Sequence, residues 1–196
     1  MDLLPETITT ANLSLHPFRR RDVDPLLAAV RESLPELSRW LPWAHQGYTR
    51  DDATRFVRDS VQAWRENRAY DFAVTERDGV THLGNVSIWH VSRGFHVGEI
   101  GYWVRTDRTG KGIATEVTAR MLQVGFDRLG MHRIVLRIAV GNRGSERVAE
   151  KLDFVKEGVL REELKVRGQW LDHTVWSMLE HEYRRRAAEY AVFAGS

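Results

Sequence analysis

The sequence predicts an α/β domain, a mixed sheet of about seven strands flanked by about four helices. Three observations carry that prediction. Apolar residues alternate in some windows and recur at three- and four-residue spacing in others, and the two patterns interleave along the chain. Arg133 to Val140, RIVLRIAV, is nearly all apolar or β-branched, as a central strand buried on both faces should be. Arg105 to Val117, RTDRTGKGIATEV, crowds two glycines, a lysine and two arginines where strand pattern gives way to helix pattern.

Taken in order, Ala11 to Phe18 alternates Leu13 and Leu15 and reads as the first strand. Arg21 to Leu37 is helical: Asp22 or Asp24 caps it, Pro25 sits in the first turn, and Leu26, Leu27, Val30 and Leu34 form a stripe. Ser38 to Arg50 holds two Trp and a Pro with no period and reads as a loop or short turn. Thr49 to Arg68 is a second amphipathic helix with Ala53, Phe56, Val57, Val61 and Trp64 inward. Tyr70 to Glu76 and Thr81 to Val91 form a hairpin through Arg77, Asp78 and Gly79, and Phe95 to Val104 is a third strand. The glycine-bearing loop then opens a helix with Ile113, Val117, Met121, Val124 and Phe126 near one face, ending at Gly130. After RIVLRIAV come a short helix, Ser145 to Leu152, and two strands around Phe154 to Leu164 and His173 to Leu179, with Val166 to Trp170 turning between them. The order is β-α-α-β-β-β-α-β-α-β-β. One domain takes residues 1–183. Residues 184–196 form a helical or mobile tail that packs on the domain, joins an oligomer interface or moves.

Composition narrows the function. Lysine plus arginine (29) nearly balances aspartate plus glutamate (27), with the signs well mixed. That is not the footprint of a dedicated nucleic-acid binder, though it suits a polyanionic small ligand. Cysteine is absent, which excludes disulfides, thiolate metal sites and a cysteine nucleophile. The eight histidines show no metal-ligand spacing, so no metal is expected. Asp172, His173 and Ser177 lie close in sequence, but no Gly-x-Ser-x-Gly elbow supports a hydrolase triad. The N-terminus lacks the basic and apolar regions of a signal peptide, and no apolar run reaches the roughly 18 residues of a membrane helix. A cytoplasmic protein is expected.

The loop points to an anion, most simply a phosphate. Successive backbone N–H groups from Gly110 to Ala114 and the positive end of the helix dipole would face it, with Arg108 and Lys111 at the rim. Two nucleotide motifs fail. A phosphate-binding Walker loop needs glycine where Arg105 stands and Ser or Thr where Gly112 stands, and a dinucleotide fingerprint needs glycine at Thr115.

Thr109-Gly110-Lys111-Gly112-Ile113-Ala114 resembles the acyl-CoA pyrophosphate loop of the GCN5-related N-acetyltransferases, Gln/Arg-x-x-Gly-x-Gly/Ala, with Thr109 in place of the first residue. GEIGYWV before the loop, AVGNRGSERVAEKLDF after it and ELSRWLPWA upstream resemble the RimJ/RimL-type ribosomal-protein N-terminal acetyltransferases. KLDF departs from the usual K-L-G-F, with Asp153 for glycine. The likeness runs from about Leu13 to Tyr183. It implies the GNAT fold, with the sheet splayed at the acyl-CoA site, and acetyl-CoA as co-substrate. It implies donor contacts from Tyr102, Trp103, Val104, Arg108, Thr109, Gly110, Lys111, Gly112, Ile113, Ala114, Thr115, Asn142 and Ser145. It also implies a homo-oligomer, a dimer above all.

Acyl transfer from a thioester to an amine needs a held donor, a deprotonated amine and a stabilised thiolate. Glu99 shares a strand face with Val97, Gly101 and Trp103, and a carboxylate among apolar neighbours has the raised pKa that suits a base, acting directly or through water. Ser145 either caps the helix it opens or serves the thiol. Many family members use a tyrosine four positions further on, where this chain has Ala149. Trp40, Trp43, His90 and Trp170 are candidates for the acceptor pocket. The favoured reading is transfer of acetyl to a primary amine, the N-terminal α-amino group of a protein or peptide, in a direct ternary complex. Two alternatives stand beside it. One is a small-molecule amine or a carboxylated donor such as succinyl-CoA, for which Arg93 or His90 would supply the cation. The other is a non-catalytic acyl-CoA-binding module.

Overall fold

The computed structural model describes residue 4 and residues 7–193. Readings that fall on residues 1–3, 5, 6 and 194–196 lie outside the described residues. The strands are β1 (Ile8–Thr9), β2 (Leu13–Pro17), β3 (Ala69–Glu76), β4 (His82–Ser92), β5 (Val97–Val104), β6 (Arg133–Ala139), β7 (Val155–Val166) and β8 (Gln169–Leu179). The helices are α1 (Val23–Leu37), α2 (Arg50–Arg65), α3 (Ile113–Gln123), α4 (Arg143–Lys151) and α5 (Glu180–Ala191). All strands join one sheet in the order β1-β2-β3-β4-β5-β6-β8-β7. The expected seven strands become eight because β1, two residues long, pairs with β2. No apolar alternation announces so short a strand.

Strand alternation sends one set of side chains to each face. On one face α1 and α2 bury Leu26, Val30 and Val57 against Phe18 and Trp103. On the other, α3, α4 and α5 cover Ile134, Leu136, Met178 and the inward side of β2 to β5. The capping box of Thr49 and Asp52 starts α2. Asp22 leaves its α1 cap position uncapped and turns its carboxylate to the Arg19 N–H (2.6 Å) and the buried His16 ring (3.2 Å).

β5 and β6 form the one parallel pair among the described strands, and it lasts three registers: Val97 with Arg133, Gly98 with Ile134, Glu99 with Val135. Beyond Glu99, β5 follows β4 out to Val104 while β6 follows β8 out to Ala139. The strands diverge, leaving a V-shaped gap in the middle of the sheet.

The described part of the expected tail, residues 184–193, continues α5 and its turn and packs on the domain. Tyr183 stacks on Phe126 at 4.7 Å and on Tyr190 at 5.6 Å. The Tyr190 hydroxyl donates to the Leu152 carbonyl at 2.8 Å, and both rings are buried. The period is weak in sequence because a few large anchors, rather than a continuous stripe, hold α5. At the end of α4, Asp153 takes φ 57°, the left-handed turn where the family has glycine, and its carboxylate pairs with Arg186 on α5.

Tyr190→Ala is expected to lower unfolding free energy by about 3 kcal/mol, through cavity formation and a stranded carbonyl. Urea denaturation measures it, and an unchanged midpoint would mean that α5 does not dock.

Candidate active site

The glycines of the quoted loop are there for their backbone angles. Gly110 and Gly112 take φ 76° and 83°, which L side chains seldom adopt, while the space around both is open. Gly112 occupies the N-cap of α3 and has no side chain to cap it. The first intrahelical bond is Glu116 N–H to Gly112 O (2.9 Å). The N–H groups of Ile113, Ala114 and Thr115 therefore face outward with the helix dipole behind them. They open into a cleft of about 710 Å³ that runs between α3 and α4 toward the gap in the sheet. Arg108 lines it, balanced by Glu76 at 3.0 Å. Thr109 is also on the wall, but its hydroxyl donates to the Thr106 carbonyl (2.9 Å) and so braces the turn. Lys111 is exposed and off the wall.

Three cations that the sequence reading missed line the same cleft: Arg143, Arg147 and Lys151. They stand four residues apart on one face of α4, and that spacing was the available signal.

Asn142, not Ser145, caps α4: its side-chain oxygen accepts from the Ser145 N–H at 3.2 Å. The Ser145 hydroxyl is thereby spared for other work. Ser145, Asn142 and Tyr102 line both the donor cleft and a second cavity of about 380 Å³ beyond it, so they sit where the two meet. Burial pushes the Tyr102 phenol up to about 12, so it stays protonated. Its hydroxyl donates toward the Ser145 carbonyl at 3.5 Å.

The second cavity is walled by Trp40, Leu41 and Trp89 and by a charged group on the sheet. Glu99 is on it, as its strand parity requires, but with a partner invisible in sequence. Arg137 on β6 donates three hydrogen bonds of 2.5 to 3.0 Å to the two oxygens of Glu99. Burial moves the Glu99 carboxyl above its usual range, and Arg137 offsets part of that shift. Arg137 also donates to Glu163 Oε1 at 2.5 Å. Glu163 reaches the cavity because β7 bulges: Leu160 pairs with His173 and Leu164 with Leu171, so three residues oppose Asp172 alone. Glu162 takes φ 52° within the bulge, its N–H held by Asp172 at 2.8 Å. Glu163 Oε2 and His173 Nδ1 lie 3.7 Å apart, and both are buried without a hydrogen-bond partner.

The expected acceptor residues divide. Trp40 is on the cavity wall. Trp43 packs instead on Trp103 (6.1 Å) and Tyr48 (6.0 Å), and Trp103, which borders the cleft, is itself buried in the core cluster with α1 and α2. Trp170 is 55 % exposed and stacks under Lys165, on the hairpin face opposite the cavity, because Leu171 and His173 take the inner parity. His90 is off the wall and its neighbour Trp89 is on it, again by parity. Arg93 cannot serve a carboxylated donor, since it donates to the carbonyls of Glu66 and Asn67 outside the cavity. Among the described residues no group of three or more His, Asp or Glu could hold a metal ion, and no helix is long and apolar enough to cross a membrane.

Comparison with known proteins agrees with this fold. The family profile described as acetyltransferase (GNAT) domain matches residues 12–155. The chain is 32 % identical over 133 residues to the probable N-acetyltransferase YjcK of Bacillus subtilis, covering 67 % of this chain and 74 % of that one. It is 24 % identical over 160 residues to the ribosomal-protein-serine acetyltransferase of Escherichia coli, covering 81 % and 88 %. The solved structure of Mycobacterium smegmatis RimJ in complex with CoA-disulfide superposes with a TM-score of 0.85 at 27 % identity, covering 97 % of this chain and 95 % of that one.

Two variants probe the site. Gly112→Ala should weaken CoA binding severalfold in calorimetry, because a Cβ at that φ costs about 1 kcal/mol and turns the loop's donors aside. Arg137→Met should cost about 2 kcal/mol at pH 8, a discounted figure because Arg137 is 40 % exposed, and less at pH 5. The sign follows from Glu99: burial already holds its carboxyl above the usual range, so without Arg137 it is a buried, uncompensated charge at pH 8, and its protonation at lower pH relieves that cost. Equal losses at both pH values would refute that account.

Proposed function

Since the chain belongs to the GNAT acetyltransferase family and is an acyl-CoA-dependent N-acyltransferase, we propose that it moves acetyl from acetyl-CoA to the α-amino group of a protein or peptide. The donor cleft supports CoA: Gly110 to Thr115 offer their N–H groups to the pyrophosphate, with Arg143, Arg147 and Lys151 for the remaining phosphate charge. The pantetheine arm runs into the gap between β5 and β6, where unpaired strand edges supply hydrogen-bonding groups. The thioester then arrives at Ser145 and Tyr102.

The observation that carries the catalytic reading is the unpartnered pair, Glu163 Oε2 and His173 Nδ1. An acceptor arrives as an ammonium and must lose a proton before attack. Glu99, the base candidate from sequence, has both oxygens engaged by Arg137. We assign it the role of fixing Arg137, and give the proton to Glu163 Oε2, with His173 beside it. The neutral amine attacks the thioester carbonyl carbon and the C–S bond breaks in collapse of the tetrahedral intermediate; the proton that the new amide nitrogen loses passes through the Ser145 hydroxyl to the leaving thiolate, so serine ends as it began. The Arg137 charge is matched by two carboxylates, so little remains to attract a carboxylated acyl group, and acetyl is favoured over succinyl. A protein acceptor is in keeping with the E. coli relative. A homodimer and a cytoplasmic location rest on the resemblance. The exposed edge strand β7, with Val155, Val159 and Leu160 on its surface, supports the former.

The test follows CoA thiol release with Ser- and Ala-starting peptides, N-terminally blocked peptides bearing lysine, and polyamines. Release with free peptide N-termini alone is expected, and release with polyamines alone would replace the peptide by a small amine. Glu163→Gln should lower kcat about 100-fold with CoA binding intact, and Ser145→Ala should lower it about 10-fold. If Glu163→Gln keeps full turnover, the proton goes elsewhere.

A further inference from the structure

A third cavity, of about 450 Å³, adjoins the acetyl-transfer cavity through Trp40, which lines both. Its walls are Arg39 and Trp40 from the turn that follows α1 and Val166, Arg167, Gln169 and Leu171 from the β7–β8 hairpin. The inner face of that hairpin is continuous: Glu163, Leu164 and His173 border the first cavity, and Val166, Gln169 and Leu171 the second. The two cavities thus form one track along the hairpin, with Trp40 as its opposite bank.

The track is electrically polar. At the inner end, Glu99 and Glu163 outnumber Arg137. At the outer end stand two guanidinium groups. Arg39 is partly balanced by Glu36 at 3.0 Å and lies over the Trp40 ring at 5.1 Å. Arg167 makes no hydrogen bond or ion pair among the described residues. It also occupies an unfavourable place. Arg167 and Gly168 form the two-residue hairpin turn with φ 49° and 85°, and the first of those positions favours Asn, Asp or Gly. A long cation held in a left-handed conformation costs about 1 kcal/mol.

We propose that this outer cavity is a specificity subsite for an acidic side chain of the acceptor, a carboxylate carried a few residues past the amine that is acetylated. Four residues separate Glu163 from Arg167, so the amine end and the anion end lie roughly 13 Å apart at the usual strand rise. An extended peptide covers that span by its third or fourth residue. The preferred acceptor therefore has a free amino terminus followed by Asp or Glu at position three or four. Its ammonium meets the Glu163 end and its carboxylate meets Arg167 and Arg39, which fixes direction as well as identity. This inference rests on the peptide acetyltransferase reading above.

The experiment compares kcat/KM for Ser-starting peptides with Asp-Glu, Ser-Ser or Lys-Lys at positions three and four. The order acidic, neutral, basic is expected, with the acidic peptide favoured over the basic by about 10-fold at low salt and less at high salt, as for two solvent-accessible ion pairs. Most of the difference should appear in KM. Arg167→Glu combined with Arg39→Glu should reverse the order, whereas Arg58→Glu on the outer surface of α2, a control for net charge, should leave it unchanged. Thermal melting checks that the variants fold, and Arg167→Gln, milder than reversal, should flatten the preference if the double variant does not. Equal turnover of the three peptides by the wild type, or a preference that survives in Arg167→Gln and the double variant, would overturn the subsite while leaving peptide acetylation intact. Turnover of none of them would remove the peptide reading and the subsite together.

Discussion

Everything in this molecule that bears on function hangs on the early end of one strand pairing. β5 and β6 hold together from Val97 to Glu99 and then part. A parallel pair is bonded along its length only if neither strand has a stronger claim elsewhere. Here β5 is held by β4 to its last residue, and β6 by β8. The gap is therefore built into the fold and needs no ligand to open it. It leaves peptide groups exposed in mid-sheet, which in a closed sheet would be bonded and unusable. It also joins the two sides of the molecule, because the cleft between α3 and α4 and the cavity beneath Trp40 meet there.

The electrostatics follow from where the gap begins. Glu99 is the last residue of β5 paired with β6, and Arg137 is two residues beyond its partner Val135 on β6. The guanidinium spans the fork and ties Glu99 to Glu163. A lone buried carboxylate at this point would be driven toward its neutral form, and two would repel. One arginine shared between them keeps both charges tolerable, and still leaves one oxygen of Glu163 without a partner. That oxygen is open only because three residues of β7 bulge against a single residue of β8. The backbone irregularity and the chemistry at this site have the same origin.

Much of this was legible in the chain. The interleaving of helical and strand periods gave the order of elements. The two glycines before Ile113 marked the turn that opens α3, since their positive φ values are ones that other residues resist. Glu99 fell on the cavity face by parity. Other features were hidden for physical reasons. β1 is too short to show a period, and α5 is held by Tyr183 and Tyr190 in place of a stripe. The cations of α4 stand at helical spacing and could have been read. Trp43, His90 and Trp170 look alike to a reader of composition, but lie off the wall because a strand's parity or a neighbouring ring decides which way each one faces.

By itself the sequence determined the class of fold, the place of the glycine turn that opens α3 and the absence of cysteine. These depend on local periodicity, on backbone angles within a few residues and on composition, none of which needs a distant partner. The tertiary structure decided which carboxylate has a free oxygen, which cation neutralises which acid, and which aromatic rings line the central cavity. Arg137 is 38 residues from Glu99 and 26 from Glu163 in the chain, and the three meet only because β5, β6 and β7 come to one fork. Charge pairing across strands depends on register and bulges, and those are fixed by the packing of the whole sheet.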